Sequence, residues 1–203
     1  TMSNTSIQWT LNKIHKSDDL QVHHMSLDEA QKTILFHKSF PQYSVTPLTS
    51  LSNLAAHLGL KGLYIKDESY RFDLNAFKVL GGSYAIARYI AKQLEKDISE
   101  LPYGVLISDE LKKELGQITF YTATDGNHGR GIAWSANKLG QKAVVRMPKG
   151  TTQTRLENIA KENATVTIAH SRTTNLKEVD RQVNVVFEKD METDQILVEP
   201  FDM

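Results

Sequence analysis

The chain has 203 residues, of which 40% are hydrophobic and 24% are charged, a composition typical of folded globular domains. Its 24 Lys and Arg residues balance its 24 Asp and Glu residues, so the net charge argues against nucleic acid or an anionic membrane as a partner. Cysteine is absent, which excludes disulfides, thiolate metal sites and cysteine nucleophiles and fits a cytoplasmic location.

The first half of the chain contains three predicted helices or strands before a longer helix. Ser26 is a suitable N-cap for a helix that follows it. Residues 51–60 have apolar side chains at helical spacing, and residues 63–68 alternate between apolar and polar side chains as in a strand. Residues 78–97 are compatible with a long helix, although the glycines at 81–82 weaken its first turn.

The second half of the chain predicts a regular alternation of strands and helices. A short helix at 109–115, ended by Gly116, precedes it. Alternation of this kind predicts right-handed crossovers and a parallel sheet covered on both faces, hence an α/β fold. The predicted strands are 118–122, 143–147, 165–169 and 195–199, and the predicted helices are 127–139, 152–162 and 175–191. The tryptophan at 134 is expected in the core.

The first candidate segment, residues 71–84, places a lysine at the predicted start of a helix. Lys78 follows an aromatic residue, Phe77, and an amine near a helix N-terminus behind apolar neighbours has its charged form disfavoured. A lysine that can lose its proton can form a Schiff base with an aldehyde cofactor. On these residues alone an exposed lysine without a role is the commoner outcome, because most lysines lie on the surface.

The second candidate segment, residues 122–131, lies between a predicted strand and a predicted helix, where ligands bind in open parallel sheets. Its glycines allow a ligand to approach the backbone, and the amides at the helix start can bind a carboxylate. Asn127 offers a donor and an acceptor, and Asp125 offers a general base. The alternative is a plain turn in which Asp125 or Asn127 caps the helix. The three glycines are Gly126, Gly129 and Gly131.

Four motifs, in this order, resemble the N-terminal signature of the fold-type II pyridoxal-phosphate (PLP) enzymes. They are Thr46-Pro47-Leu48, Tyr64-Ile65-Lys66-Asp67-Glu68, Phe77-Lys78 and Gly126-Asn127-His128-Gly129. The amino-acid sequence of residues 75–84 and 123–131 resembles the diaminopropionate ammonia-lyase family more closely than it resembles related families. The dehydratases usually carry a small neutral residue in place of Asp125. The resemblance extends from about Pro41 to Ala169.

The resemblance implies pyridoxal 5'-phosphate as the cofactor and assigns three residues to it. Lys78 would bond to the cofactor aldehyde and later move protons. Phe77 would lie with it among the cofactor-binding residues, and Asn127 would hydrogen-bond the oxygen on the cofactor ring. The implied reaction is an α,β-elimination in which 2,3-diaminopropionate is converted to pyruvate and ammonia.

The same resemblance assigns the substrate, a small amino acid, to the second segment. Thr124 and the amides around Gly126 and His128 would bind its carboxylate. Asp125 would take the α-proton from the D-isomer, and Lys78 would do so from the L-isomer. No metal site is predicted, because His128 has no His, Asp or Glu at ligand spacing.

The resemblance further implies an open parallel sheet with flanking helices, divided into a small domain and an incomplete large domain. Residues 1–80 would form the N-terminal part of the large domain and residues 81–203 the small domain. The glycine-rich phosphate loop and the partner of the pyridine nitrogen, which these families carry further along the chain, are not found in the sequence. We therefore expect a truncated chain that is at best weakly active alone, and a homodimer as in other family members.

Two alternatives remain open from the sequence. One is a serine or threonine dehydratase-like PLP enzyme, which Asp125 and the sequence of residues 75–77 disfavour. The other is a non-catalytic remnant or interaction module that lacks the phosphate-binding half.

Overall fold

The computed structural model of the chain describes residues 26–124, 126–168 and 195–197. Two 3-10 segments, Glu68–Asp73 and Ile98–Glu100, connect longer elements. The helices are α1 Leu27–Lys38, α2 Ser52–His57, α3 Lys78–Gln93, α4 Tyr103–Leu106, α5 Asp109–Leu115, α6 Asn127–Lys138 and α7 Gln153–Ala160. The strands are β1 Leu48–Ser50, β2 Tyr64–Lys66, β3 Thr119–Ala123, β4 Lys142–Met147, β5 Thr165–Ile168 and β6 Gln195–Leu197.

A parallel sheet forms the centre of the fold, with its strands in the order β5-β4-β3-β6. The chain steps from β3 to β4 through α6 and from β4 to β5 through α7. Because both steps run in the same direction, right-handed crossovers place α6 and α7 on the same face of the sheet. The predicted α/β fold with a parallel sheet is therefore confirmed. The predicted helix at 175–191 lies outside the described residues, so helical cover is described for one face only.

The side chains of β3 alternate because only one of its faces meets these helices. Phe120 and Thr122 are buried, whereas the three residues between and beside them are partly exposed. Phe120 pairs across the register with Ala143 of β4, and Thr122 pairs with Val145. These four side chains form the part of the sheet face on which α6 packs.

Several helix boundaries are set by local signals that the sequence already shows. The Ser26 hydroxyl accepts a hydrogen bond from the Glu29 amide at 3.2 Å and begins α1 as predicted. Gly116 ends α5 with φ of 71°, and Gly140 follows α6 with φ of 70°. None of the helices in the described ranges combines the length and the apolar character that a membrane crossing requires.

The aromatic part of the core joins the N-terminal helix to the sheet domain. Trp134 of α6 is buried as predicted, and its ring lies 5.9 Å from that of Phe40 and 4.9 Å from that of Phe72. These rings belong to the same apolar cluster as the side chains of α3 and β3. The core therefore crosses the predicted boundary between residues 80 and 81, which also falls inside α3. The division into two domains stays a prediction.

The strand predicted at 63–68 forms only over Tyr64–Lys66, where it pairs antiparallel with β1. Its alternating pattern indicated one buried face, but all three of its residues are exposed. The physical reason is that no layer of described residues packs against either face of this two-stranded sheet, so alternation alone buries nothing.

Candidate active site

Lys78 is the first residue of α3, directly after the exposed side chain of Phe77. Lys78 is itself exposed, and among the described residues no hydrogen bond or ion pair engages its amine. The apolar surroundings expected for this amine are thus not formed by the described residues. The reason is that α3 buries its other side, where Val79 and Ile86 are fully buried.

Two glycines bring the start of α3 against α6. A methyl group at Gly131 of α6 would lie 3.0 Å from both the amide nitrogen and the Cα of Val79, and 3.3 Å from the carbonyl carbon of Lys78. A methyl group at Gly82 of α3 would lie 2.9 Å from Cδ1 of Ile132. The two helices therefore touch through their backbones. Since Gly131 follows Asn127 by about one turn, this contact places Lys78 beside the first turns of α6.

The loop before α6 is also close-packed, with one open position. Thr124 donates its amide to the Arg146 carbonyl at 2.9 Å, and its hydroxyl accepts from the Gly126 amide at 3.2 Å. A methyl group at Gly129 would collide with the Thr124 methyl and would lie 2.9 Å from Cγ1 of Val145. At Gly126 a methyl group would meet nothing within 4 Å.

The expectation that all three glycines serve ligand approach is therefore wrong for Gly129 and Gly131. Their missing side chains are occupied by intramolecular packing, of Gly129 on β4 and of Gly131 on α3. Gly126 alone keeps the open space that a ligand needs.

Among the residues that the structure describes, no side chain caps the start of α6. A helix start without such a cap presents first-turn amides that an anion can accept from, supported by the helix dipole. Asn127 is exposed at this position, while Thr124, Gly126 and His128 are partly buried around it. Asp125 lies outside the described residues, and its role as a base stays a prediction.

Comparison with known proteins decides what this arrangement belongs to. Residues 40–202 match the model of a family described as "Pyridoxal-phosphate dependent enzyme". The chain belongs to this family. The family description itself names pyridoxal phosphate as the cofactor.

The chain is similar to the diaminopropionate ammonia-lyase of Salmonella typhimurium, with 53% identity over 137 residues that make up 68% of this chain. These residues correspond to 34% of that relative, so the chain spans about a third of its length.

Solved structures of the Escherichia coli diaminopropionate ammonia-lyase show the same fold. The apo form superposes with a TM-score of 0.73 at 37% identity, over 88% of this chain and 46% of that one. The complex with D-serine superposes with a TM-score of 0.72 at 38% identity, over 86% and 42% of the two chains. Both comparisons support the resemblance given by the motifs.

The described residues fit the cofactor of this family. The amine of Lys78 is exposed and uncommitted, so an aldehyde can reach it. The start of α6, which no described side chain caps, lies beside it, and the space at Gly126 is open. Lys78 would hold the cofactor covalently, and Asn127 would bond to it from the neighbouring helix.

The loop that leads into Lys78 has an unusual backbone. Phe72, Asp73 and Asn75 have φ values of 49°, 58° and 54°. A left-handed conformation costs a non-glycine residue roughly 1–2 kcal/mol, less for Asp and Asn. Burial of Phe72 and Leu74 offsets this cost and holds the loop against the core.

A charged network fixes the start of this loop. The guanidinium of Arg71, which is 8% exposed, donates to both carboxylate oxygens of Glu68 at 2.8 and 2.9 Å. It also donates to the Ser44 carbonyl and the Thr46 hydroxyl, each at 3.2 Å. Hydrogen bonding from Arg71 holds the pKa of Glu68 below its ordinary value. The network thus includes the hydroxyl of Thr46, the first residue of the motif Thr46-Pro47-Leu48.

A buried histidine supports the first turn of α3 from the other side. His37 of α1 lies with Nε2 3.0 Å from the Leu80 carbonyl and 3.2 Å from the Ser83 hydroxyl. Burial lowers the pKa of His37 from its ordinary value of 6.5. The sequence does not single out this residue, because its role depends on a helix 43 residues further along the chain.

Arg130 joins the two candidate segments directly. Its Nη1 donates to the Leu74 carbonyl at 3.0 Å, and its Nε donates to Oε1 of Glu162 at 2.9 Å. Its backbone amide bonds to the Gly126 carbonyl at 3.2 Å, so it belongs to the first turn of α6. Nothing in the local sequence indicates this link, since Leu74 and Glu162 are brought to Arg130 by the fold.

Proposed function

We propose that this chain carries the lysine-bearing part of the site of a PLP-dependent ammonia-lyase that converts 2,3-diaminopropionate to pyruvate and ammonia. The observation that supports it best is the backbone contact between the start of α3 and the first turns of α6. This contact brings Lys78 next to the start of α6 in a chain 53% identical to the Salmonella typhimurium ammonia-lyase over 137 residues.

In this proposal the chain positions a cofactor and a substrate rather than supplying new chemistry. When bound, pyridoxal phosphate supplies an electron sink for the carbanion that forms on loss of the α-proton. Lys78 holds the cofactor and moves a proton at the substrate α-carbon, which its exposed amine can reach. The turn formed by Thr124, Gly126 and His128 holds the substrate carboxylate beside it. This fixes the α-hydrogen in the orientation that elimination needs.

The stereochemical part of the proposal concerns Asp125. The similar Escherichia coli enzyme was crystallised with D-serine, which supports a D-amino acid as one substrate of this chain as well. We assign to Asp125 the removal of the α-proton from the D-isomer and to Lys78 its removal from the L-isomer. Asp125→Asn should therefore reduce turnover of D-diaminopropionate more than that of L-diaminopropionate.

A product assay tests the proposed reaction. The chain is incubated with pyridoxal phosphate and, separately, with D- and L-2,3-diaminopropionate, D-serine and L-threonine, and release of the 2-oxo acid is measured. We expect slow release of pyruvate that prefers diaminopropionate and is lost in Lys78→Ala. Lys92→Ala, which removes another exposed lysine of α3, is the matched control and should leave the rate unchanged.

Three results would contradict the proposal. If Lys78→Ala released pyruvate as fast as the wild type, Lys78 would not be part of the site. A preference for L-threonine would favour the dehydratase alternative. No release above the rate of free pyridoxal phosphate would favour a non-catalytic chain. The homodimer and the cytoplasmic location remain predictions from the sequence, and light scattering of the purified chain would test the first.

A further inference from the structure

We infer that Arg130 is a positioning residue, which holds the loop carrying Lys78 in register with the ligand-binding turn of α6; this rests on the proposed function. Arg130 does not need to touch cofactor or substrate for this role. It acts through Leu74, four residues before Lys78.

The position of Arg130 in the chain gives the first argument. Arg130 lies in the first turn of α6, where its amide bonds to the Gly126 carbonyl. Its backbone is thus part of the turn assigned to the substrate carboxylate. Any group that the Arg130 side chain binds is therefore held at a fixed place relative to this turn. The contacts of that side chain decide which other element is tied to it.

The contacts of the Arg130 guanidinium give the second argument. Nη1 reaches the Leu74 carbonyl at 3.0 Å, within a loop whose residues Phe72, Asp73 and Asn75 have left-handed backbones. Such a backbone does not form the repeating hydrogen bonds of a helix, so each tether from outside limits its movement. The network of Arg71 fixes the beginning of the loop, and Arg130 fixes its middle.

The restraint on Arg130 itself gives the third argument. A charged tether positions its partner only when its own rotamer is fixed, and Nε donates to the Glu162 carboxylate at 2.9 Å. The side chain of Glu162 is 14% exposed and that of Arg130 is 26% exposed, so solvent screens this pair less than a surface pair. Glu162 follows α7. The guanidinium of Arg130 therefore connects α6 with the loop at Leu74 and with the end of α7.

Hydrogen exchange of the cofactor-free chain tests the tether. We expect Arg130→Gln to accelerate exchange of the amides of residues 72–80 roughly tenfold, the factor carried by one charge-assisted hydrogen bond. Exchange in β3 and β4 should stay unchanged. Arg88→Gln is the matched control, because it also removes an arginine–glutamate pair, with Glu29 at 2.7 Å, in the second half of α3 and outside this loop. Arg130→Lys keeps the charge and should give an intermediate acceleration.

Absorbance on titration with pyridoxal phosphate tests the consequence for Lys78. The apparent affinity should fall roughly tenfold in Arg130→Gln, less in Arg130→Lys and not at all in Arg88→Gln. Unchanged exchange at residues 72–80, or equal acceleration throughout β3 and β4, would overturn the inference. Local acceleration with unchanged affinity would overturn it as well. If the wild-type chain gives no absorbance change, the proposed function fails, and the exchange result still decides whether Arg130 holds the loop.

Discussion

The β1–α2–β2 unit precedes Lys78 in the chain, the α3–α6 contact begins at Lys78, and the two regions differ in how far they are packed. At the α3–α6 contact, Val79, Ile86 and Ile132 are fully buried, and glycine lets the two backbones touch. In the β1–α2–β2 unit, every residue of both strands is exposed, including Leu48 at 67% and Tyr64 at 65%. Both have apolar sequences, so hydrophobic content does not explain the difference.

The difference shows that a sheet is buried only when a second layer lies on it. One face of β3 and β4 carries α6, which itself packs against α3, whereas the β1–β2 pair has no such layer among the described residues. The exposed apolar side chains there form the kind of surface that normally meets another part of a protein. Lys78 is the exposed first residue of α3, whose other side is packed in the core.

The largest effect that tests this comparison is loss of an aromatic ring from each region. Phe120 of β3 is fully buried, and Phe120→Ala should lower the free energy of unfolding by about 3–5 kcal/mol. Tyr64→Ala in β2 should change it by less than about 0.5 kcal/mol, because the ring is already exposed. Urea unfolding followed by circular dichroism measures both. A large loss for Tyr64→Ala would mean that the β1–β2 unit is covered.

A single methyl group provides a finer test of the α3–α6 contact. Gly131→Ala places its methyl 3.0 Å from the backbone of Val79, which cannot move aside without shifting α3, and should cost about 1–3 kcal/mol. Gly81→Ala is the matched control, since a methyl there meets nothing within 4 Å and should stabilise the helix by about 0.5–1 kcal/mol. Equal melting temperatures for the two variants would contradict the close contact.

The smallest effect is a dependence of stability on pH at the packed region. Burial lowers the pKa of His37, so the unfolded chain binds this proton more readily than the folded one. The contribution of His37 to stability is complete above its ordinary pKa of 6.5 and is lost as the pH falls towards the folded value. The melting temperature should therefore fall between about pH 7.5 and about pH 5.5, in the range where histidine titrates.

His37→Gln, which keeps a donor for the Leu80 carbonyl, should reduce this fall in melting temperature. His57→Gln, at an exposed histidine of α2, should leave the fall as it is in the wild type. If the wild type and His37→Gln lost the same number of degrees, His37 would not be the group responsible.

Sequence reasoning predicted those features that depend on neighbours along the chain. The caps at Ser26 and Gly116, the end of β4 at Met147 and the burial of Trp134 follow from residue type and period, and the structure confirms them. The motifs around Lys78 and Gly126 predicted the family, which the match to the family model confirms.

Features that depend on distant parts of the chain were not predictable. The left-handed backbone at Phe72 is one, since bulky residues rarely adopt it and no local pattern indicates it. The packing role of Gly131 is another, because the space where its side chain would lie is filled by the backbone of α3, about 50 residues earlier in the chain. The link from Arg130 to Leu74 and Glu162 likewise exists only once three elements have packed together.

The central claim, that Lys78 is the residue that holds the cofactor, is tested most directly by finding where pyridoxal phosphate attaches. The chain is mixed with pyridoxal phosphate at a low molar excess, reduced with borohydride, digested, and analysed by peptide mass spectrometry. We expect one dominant modified lysine, Lys78, well above other exposed lysines such as Lys92 and Lys113. Labelling spread evenly over exposed lysines, or concentrated at a lysine other than Lys78, would contradict it.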